Sequence, residues 1–167
     1  MGYLHRNYHA TKSPGVYTLI LQVKEQLSLN IGSLGRVNLA AGQYLYTGSA
    51  LGPGGLDSRV ARHLSKEKRV FWHIDYLTVN QQVNVLALVR AECLNRMECR
   101  VNGLLLSRFG AECTVLRFGS SDCSECPGHL LCAEDLELGV LIKKITGVYL
   151  EAGLKPTSNT FSSKDHL

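Results

Sequence analysis

Residues 46–63 read Tyr-Thr-Gly-Ser-Ala-Leu-Gly-Pro-Gly-Gly-Leu-Asp-Ser-Arg-Val-Ala-Arg-His, which joins the end of an apolar segment to a glycine-rich turn and an amphipathic run. The glycines around Pro53 can hardly continue a strand or a helix, so the chain must turn there between two elements. A helix is expected to begin near Asp57 or Ser58, because either side chain can cap its first free N–H groups. The stretch therefore predicts a strand, a turn and a helix.

The predicted helix has an apolar side and a basic side. Leu56, Val60 and Leu64 recur at helical spacing and are expected to face the core. The opposite side carries Arg59, Arg62, His63 and Lys66. Free N–H groups and the helix dipole favour an anion at the helix N-terminus, so this side predicts a phosphate-binding surface approached by Gly48 and Ser49. An ordinary solvated helix face is the alternative interpretation.

Apolar segments on the N-terminal side of this stretch predict strands. The run from Gly15 to Val23 and the run from Tyr44 to Gly48 are both typical of buried or half-buried strands. Between them, residues 27–41 alternate apolar and polar positions around Gly-Ser-Leu-Gly at 32–35, which predicts an additional hairpin.

Gly15-Val16-Tyr17 and Tyr46-Thr47-Gly48, followed by Arg59 and His63, resemble the GIY-YIG nuclease superfamily, which is named after two such tripeptides on neighbouring strands. A closer similarity is to a microbial subfamily of GIY-YIG-like domains of unknown function, and it covers roughly residues 13–132. The blocks that carry it are residues 42–50, 72–77, 98–99 and 118–123. The resemblance implies a small α/β fold with a mainly antiparallel central sheet flanked by helices, here with an inserted hairpin.

Two features depart from the superfamily pattern. The gap between the tripeptides is longer than in most GIY-YIG nucleases, and Thr47 replaces the usual aliphatic residue. The inserted segment changes what lies beside the active face, so the substrate of better-known relatives does not transfer to this chain.

The resemblance implies roles for five side chains. Tyr17 would position or deprotonate the attacking water, Tyr46 would orient the water or the phosphate, and Arg59 would neutralise charge on the phosphoryl group. His63 would transfer a proton or contact the phosphate, and His73 would face the cleft. A free tyrosine has a pKa of about 10 and is a poor base at neutral pH, so a nearby cation must activate it. Ordinary strand tyrosines with packed rings are the alternative.

A glutamate is expected to hold the divalent metal. Residues 93–109 predict a helix with Glu98 at the border of its apolar face. The resemblance matches Glu98 to the metal-binding glutamate of the superfamily, with Glu92 as the runner-up. One carboxylate leaves most of the coordination sphere to water and substrate oxygens, which suits Mg²⁺ or Mn²⁺.

A second candidate metal site lies near the end of the resemblance. Cys123, Cys126 and His129 follow one another at intervals of three residues and offer ligands of the kinds that Zn²⁺ prefers. A closed site needs a fourth ligand, for which Cys99, Cys113, Asp122, Cys132 or another histidine is available. Buried thiols acting as small hydrophobes, or a redox-active dithiol, are the alternatives.

Composition limits the class of protein. The chain has 167 residues, 45% of them hydrophobic, enough for one compact domain. Its net charge of +4 is compatible with nucleic acid without being diagnostic of it. Neither an export signal nor a membrane-spanning run is evident, so we expect a cytoplasmic protein with six reduced cysteines unless they bind metal.

The expected organisation is a nuclease domain over 13–132, a helical extension over 133–150 and a flexible tail over 151–167. The extension is an amphipathic helix that covers either the sheet or an oligomer interface. The sequence patterns do not indicate an oligomeric state.

These patterns favour a metal-dependent endonuclease that hydrolyses phosphodiester bonds in DNA or RNA, with DNA preferred. A binding module that keeps the fold and has lost turnover is the alternative, favoured by the insertion and by Thr47. A metal- or redox-sensing protein built around the cysteines is the third hypothesis.

Overall fold

The computed structural model describes residues 12–110, 114–120 and 123–162. These ranges contain eight strands and four helices, numbered separately in chain order. The strands are β1 (Gly15–Val23), β2 (Leu27–Ile31), β3 (Gly35–Leu39), β4 (Gly42–Ser49), β5 (Val83–Glu92), β6 (Thr114–Val115), β7 (Leu130–Cys132) and β8 (Thr157–Thr160). The helices are α1 (Gly55–Leu64), α2 (His73–Thr78), α3 (Glu98–Phe109) and α4 (Leu138–Glu151).

Six strands form one antiparallel sheet in the order β6-β7-β4-β1-β5-β8. The two tripeptide strands, β1 and β4, are neighbours, with Tyr17 opposite Gly48 and Leu19 opposite Tyr46. Helices cover both faces of the sheet. The predicted α/β fold with an antiparallel central sheet flanked by helices is therefore confirmed.

The alternation of side chains along β1 sends its residues into two separate cores. Tyr17 and Leu19 belong to the core that contains residues of α1 and α2, whereas Val16 and Ile20 belong to the core that contains residues of α3 and α4. We call these two sides of the sheet the α1/α2 face and the α3/α4 face. Tyr46 lies on the α1/α2 face beside Tyr17.

The predicted hairpin is also confirmed. Strands β2 and β3 pair with Leu27 opposite Leu39, and a single 3₁₀ turn over Gly32–Leu34 joins them. Leu27, Ile31 and Leu39 are buried in the core of the α1/α2 face, so the insertion packs onto the domain.

Both predicted helix starts are wrong. Helix α1 begins at Gly55 and its N-cap is Gly54 with φ 90°, a backbone conformation that glycine adopts without strain, so neither Asp57 nor Ser58 caps it. Asp57 lies in the first turn and pairs with Arg90 of β5. Helix α3 begins at Glu98 instead of residue 93, and Leu94, which lies within the predicted range, is outside the helix and 85% exposed.

The C-terminal segment completes the sheet. Helix α4 buries Leu141 and Ile145 against the α3/α4 face, so of the two predicted roles it covers the sheet. Residues 157–160, which were expected in a flexible tail, pair with β5 as strand β8. The tail prediction missed the open N–H and C=O groups along the edge of β5, which another strand can satisfy. Residues 163–167 of the predicted tail lie outside the described part.

Thr47 has a structural partner on the α3/α4 face. Its hydroxyl lies 3.0 Å from the Thr18 hydroxyl, which lies 3.0 Å from the hydroxyl of Tyr149 in α4. All three side chains are buried. The second tripeptide therefore contributes a hydroxyl to a buried chain of three, which ties β4 and β1 to α4.

No helix in the described ranges is both long and apolar enough to cross a bilayer.

Candidate functional site

A pocket of about 680 Å³ opens beside the two tripeptide tyrosines. Its wall combines the sheet, helix α1, the start of α2, the start of α3 and the segment that precedes β7. It is lined by Tyr17, Tyr46, Gly48, Ser49, Arg59, Phe71, Trp72, His73, Arg96, Glu98, Cys99, Gly119, Cys123, Ser124, Glu125 and His129. Of the thirteen candidate site residues predicted from the sequence, the pocket brings together all except His63, Arg62, Lys66 and Cys126.

Gly48 makes room for the phenol of Tyr17. The two residues are opposite each other on β4 and β1. A Cβ atom at position 48 would lie 2.5 Å from the Tyr17 hydroxyl oxygen, well inside contact distance. The second tripeptide therefore needs glycine here because the tyrosine of the first tripeptide crosses directly over it.

Tyr17 is hydrogen-bonded to His63, with its hydroxyl oxygen 2.8 Å from Nε2. Burial raises the pKa of Tyr17 well above its ordinary value, and the neighbouring Tyr46 raises it further. Burial, assisted by the positive charge of Lys68, lowers the pKa of His63 to about 3. Both groups are therefore neutral at pH 7, and they share one hydrogen whose donor depends on the imidazole tautomer.

The buried His63 predicts an acid-sensitive fold. Its contribution to stability is present above the unfolded-state pKa of about 6.5 and is lost as pH falls toward 3, because only the unfolded chain then binds the proton. We expect the free energy of unfolding to fall by up to about 2 kcal/mol between pH 7 and pH 5 through this residue. Denaturant unfolding at both pH values measures it. His63→Gln should have a smaller pH dependence, and an unchanged slope in that variant would contradict the assignment.

Arg59 and Arg62 stack on Trp72 but differ in their other partners. Their guanidinium carbons lie 4.1 Å and 4.6 Å from the centre of the indole ring. Arg62 is engaged within the protein, since its Nη2 donates to Asp75 Oδ2 at 2.6 Å. Arg59 lines the pocket and forms no ion pair with any described residue, which leaves its charge available to a ligand.

The predicted basic side of helix α1 is not one surface. His63 is buried with Val60, and Lys66 lies beyond the helix end at Ser65. The Lys66 ammonium donates to the carbonyl oxygens of Asn80 and Val83. Helical spacing could not predict these partners. The carboxylate and carbonyl groups that pair with Arg62 and Lys66 belong to other segments of the chain. Only Arg59 of the four lines the pocket.

Glu98 contributes a carboxylate from the first turn of α3. Its Oε2 atom is buried and accepts no hydrogen bond from the described residues. Its Oε1 atom lies 3.7 Å from Nε of the exposed Arg96. An acceptor without a donor can be satisfied by a cation. The runner-up, Glu92, is exposed at the end of β5 and lines a separate cavity with Arg90.

His73 begins helix α2, and its ring is oriented by the segment that follows β6. Its Nδ1 atom accepts a hydrogen bond from the backbone N–H of Gly119 at 3.1 Å. This leaves Nε2 as the protonated nitrogen when the ring is neutral, and burial favours that state by lowering the pKa of His73. The ring also packs against Phe118 at a centroid distance of 5.7 Å.

Four soft ligands converge on one side of the pocket. The ligand atoms of Cys99, Cys123, Cys126 and His129 all lie within 4.8 Å of one another. Cys132 is disulfide-bonded, so the expectation of six reduced cysteines is wrong at this position. Two other residues that were considered as ligands, Cys113 and Asp122, lie outside the described residues.

Phe71 and Arg96 were missed by the sequence analysis, although both line the pocket. Phe71 is 76% exposed and its ring contacts Trp72 edge to face at 5.7 Å. The sequence signal that could have identified Phe71 was an aromatic residue directly before the Trp-His-Ile-Asp-Tyr block at residues 72–76. Arg96 carried no such signal, because it lies in the linker that was expected to be helical.

One comparison with known proteins identifies a family. The model of a family described as "Domain of unknown function DUF123" matches residues 16–147, which includes Val16 and Tyr17 of the first tripeptide, the whole second tripeptide, α1, α2, α3 and the four soft ligands. No curated protein and no solved structure matches the chain.

Proposed function

Since this chain belongs to the DUF123 family, which is GIY-YIG-like, we propose that it is an endonuclease that hydrolyses phosphodiester bonds with the help of Mg²⁺ or Mn²⁺. The observation that carries the proposal is the convergence of three groups in one pocket. These groups are the hydrogen-bonded Tyr17, the guanidinium of Arg59 and the buried carboxylate of Glu98. They come from a strand and two helices that are far apart in sequence.

Tyr17 and His63 form a path for the proton of the attacking water. In the tautomer protonated at Nδ1, His63 Nε2 accepts the phenolic hydrogen, and the Tyr17 oxygen can then accept a hydrogen bond from water. Because its pKa is lowered to about 3, His63 is neutral at pH 7, so the lone pair of Nε2 can accept the phenolic hydrogen. The phenol holds the water, and the imidazole behind it increases the basicity of the phenol oxygen.

Arg59 stabilises the charge that develops on the phosphoryl oxygens. Its guanidinium is held against Trp72, so it is oriented before substrate binds. A planar fork of N–H donors matches two phosphate oxygens. Tyr46, whose ring lies 6.5 Å from that of Tyr17, lines the same wall and orients the phosphate or the water.

Glu98 fits the metal that the family implies. Its buried Oε2 atom, with no donor among the described side chains and backbone groups, is the kind of hard oxygen ligand that Mg²⁺ prefers. When bound, the ion would supply positive charge at the phosphate and at the leaving oxygen. His73 faces the same pocket and can donate from Nε2 to the substrate.

Phe71 favours nucleic acid over a small phosphoester as the substrate. Its ring projects into solvent at the mouth of the pocket, beside Trp72 and the two arginines stacked on it. An exposed aromatic ring beside cations offers a base a stacking surface next to phosphate contacts. We propose that Phe71 stacks on a base near the cleaved bond, and that DNA is the preferred substrate.

Phe71→Ala should weaken nucleic-acid binding without unfolding the protein. Loss of one stacked base costs about 1–3 kcal/mol, so we expect Kd for a single-stranded or flap substrate to rise about tenfold or more. Fluorescence anisotropy without metal measures this. Leu116→Ala is the matched control, since Leu116 is 71% exposed and does not line the pocket. Equal effects of the two substitutions would argue against stacking by Phe71.

The test of the function is cleavage of labelled duplex, single-stranded, flap and branched DNA, and of matching RNA, with Mg²⁺, Mn²⁺ or a chelator. We expect products with metal and none with the chelator. Complete absence of cleavage across this panel, by protein that still binds the substrates, would overturn the proposal.

The second candidate is a nucleic-acid-binding module without turnover, and one observation favours it. Burial raises the pKa of Tyr17, which makes its phenol a weaker acid and water activation through it more difficult. The two features that first suggested this alternative lie elsewhere, because Thr47 is buried beneath α4 and the β2–β3 hairpin does not line the pocket. Metal-independent binding without products would identify this module.

A further inference from the structure

The cluster of Cys99, Cys123, Cys126 and His129 joins two separate parts of the chain. Cys99 lies in the first turn of α3, and the other three residues lie in the segment between β6 and β7. All four ligand atoms lie within 4.8 Å of one another. Cys99 and Cys123 are partly buried, whereas Cys126 and His129 are buried.

The number and kind of ligands fit a closed tetrahedral zinc site. Structural Zn²⁺ takes four cysteine or histidine ligands at about 2.0–2.3 Å, so the ligand atoms lie roughly 3.5–3.8 Å apart. The sulfurs of Cys99 and Cys123 are 3.1 Å apart, and a small adjustment brings them to the tetrahedral separation. A disulfide would use two of the thiols and would leave the convergence of the third thiol and the imidazole unexplained.

The segment that carries three of the ligands has little regular structure to hold it. Strands β6 and β7 contain two and three residues. Arg117 adopts φ 61°, which is unusual for a residue with a side chain. A metal that links this segment to α3 would supply the constraint that short strands do not.

The cluster is connected directly to residues of the pocket. Glu98 precedes Cys99 in the first turn of α3, and Asn102, one turn later, donates to the carbonyl oxygen of Gly128 at 2.8 Å. His129 donates its backbone N–H to Phe118 at 2.7 Å, and the next residue, Gly119, orients His73. Cys99 is therefore adjacent to Glu98 in the chain. His129 is hydrogen-bonded to the residue that precedes Gly119, whose N–H orients His73.

We propose that Cys99, Cys123, Cys126 and His129 bind one structural Zn²⁺, which joins the start of α3 to the segment between β6 and β7 and so holds Glu98 and His73 in the pocket. Zinc binding itself is independent of the proposed function, whereas the positioning of Glu98 and His73 rests on it. Four protein ligands leave no open position, so this zinc has no part in the chemical step.

The first experiment measures zinc without any assay of activity. Protein purified without chelator, under reducing conditions, should contain about one zinc per chain by elemental analysis. After anaerobic exchange, Co²⁺ should produce the visible bands of a tetrahedral thiolate site. Wild-type protein that remains free of zinc after anaerobic addition of Zn²⁺ would overturn the proposal, as would mass spectrometry showing a Cys99–Cys123 disulfide in freshly purified protein.

A pair of variants assigns the ligands. Cys126→Ser should lose the zinc and lower the Tm, whereas Cys93→Ser, which removes a free thiol outside the cluster, should retain both. Retention of zinc by Cys126→Ser would exclude this residue as a ligand. If that variant does not fold, the Co²⁺ spectrum of the wild type still decides whether the site exists.

The positioning role has its own readout. Cys126→Ser should raise the Mg²⁺ concentration needed for half-maximal cleavage, because Glu98 is no longer held. Glu98→Gln should lower kcat/KM for cleavage by about 1000-fold and keep its zinc, which separates failure of the nuclease proposal from failure of the zinc proposal. An unchanged Mg²⁺ requirement in zinc-free Cys126→Ser would show that zinc does not position Glu98.

Discussion

Replacement of Glu98 by glutamine is expected to lower kcat/KM for metal-dependent cleavage by about 1000-fold. The substitution keeps the size of the side chain and removes the negative charge at the buried Oε2 atom, which has no donor among the described residues. Charge stabilisation by a bound metal is worth several kcal/mol at the transition state, and each factor of ten corresponds to about 1.4 kcal/mol. Initial rates of cleavage over a series of Mg²⁺ and Mn²⁺ concentrations measure the effect.

Glu92→Gln is the matched control for this experiment. It removes the same charge from the runner-up glutamate, which is exposed and lies at a different cavity, so its rate should equal that of wild type. A large loss with Glu92→Gln and none with Glu98→Gln would move the metal to the end of β5. Equal retention of activity by both variants would mean that neither carboxylate binds the metal.

Arg59→Ala is expected to reduce kcat by about 1000-fold while substrate binding weakens much less. A guanidinium that stabilises transferring phosphoryl oxygens contributes about 10³-fold or more, because its attraction is strongest when negative charge develops. Arg59 is the residue of the predicted basic side that lines the pocket. Single-turnover cleavage, together with anisotropy measured without metal, separates the chemical step from binding.

Arg36→Ala removes the same positive charge from the exposed edge of the inserted hairpin and should retain wild-type rates. Arg59→Lys tests the geometry, since a lysine keeps the charge and loses the planar fork of donors. We expect it to recover only part of the lost activity. If Arg59→Ala reduced binding and left single-turnover cleavage intact, Arg59 would be a nucleic-acid contact with no role in the chemical step.

Local patterns were sufficient to predict the strands β1 and β4, the inserted hairpin and the existence of helices α1, α3 and α4, whereas the fold class was predicted from the resemblance of the tripeptides. Glycine and proline form the turn between β4 and α1 for local steric reasons. The apolar residues along β1 identify a buried strand wherever it lies in the sheet. Tyr17, Tyr46, Arg59, His73 and Glu98 lie in segments that such patterns describe well. The resemblance of the tripeptides supplied the expectation that these segments meet.

Distances between remote segments decided what the patterns could not. His63 was expected on the basic, phosphate-binding side of α1 opposite the core, yet it is buried against Tyr17, 46 positions away. Arg62 and Lys66 were expected to bind nucleic acid. Instead, Arg62 donates to the carboxylate of Asp75, and Lys66 donates to the carbonyl oxygens of Asn80 and Val83. Helical spacing identifies the side of a helix and carries no information about which group from another segment approaches it.

The sequence by itself determined β1, β4, the β2–β3 hairpin, the main helices and the types of side chain available for chemistry, because steric preference and apolar periodicity are local properties. Only the tertiary structure decided which of these side chains share a pocket, which of Glu92 and Glu98 lies there and which cysteine joins Cys123, Cys126 and His129. It also decided that residues 157–160 form a strand, because their pairing depends on the open edge of β5. Burial, hydrogen-bond partners and pKa shifts depend on the distances between segments, which arise only when the chain packs.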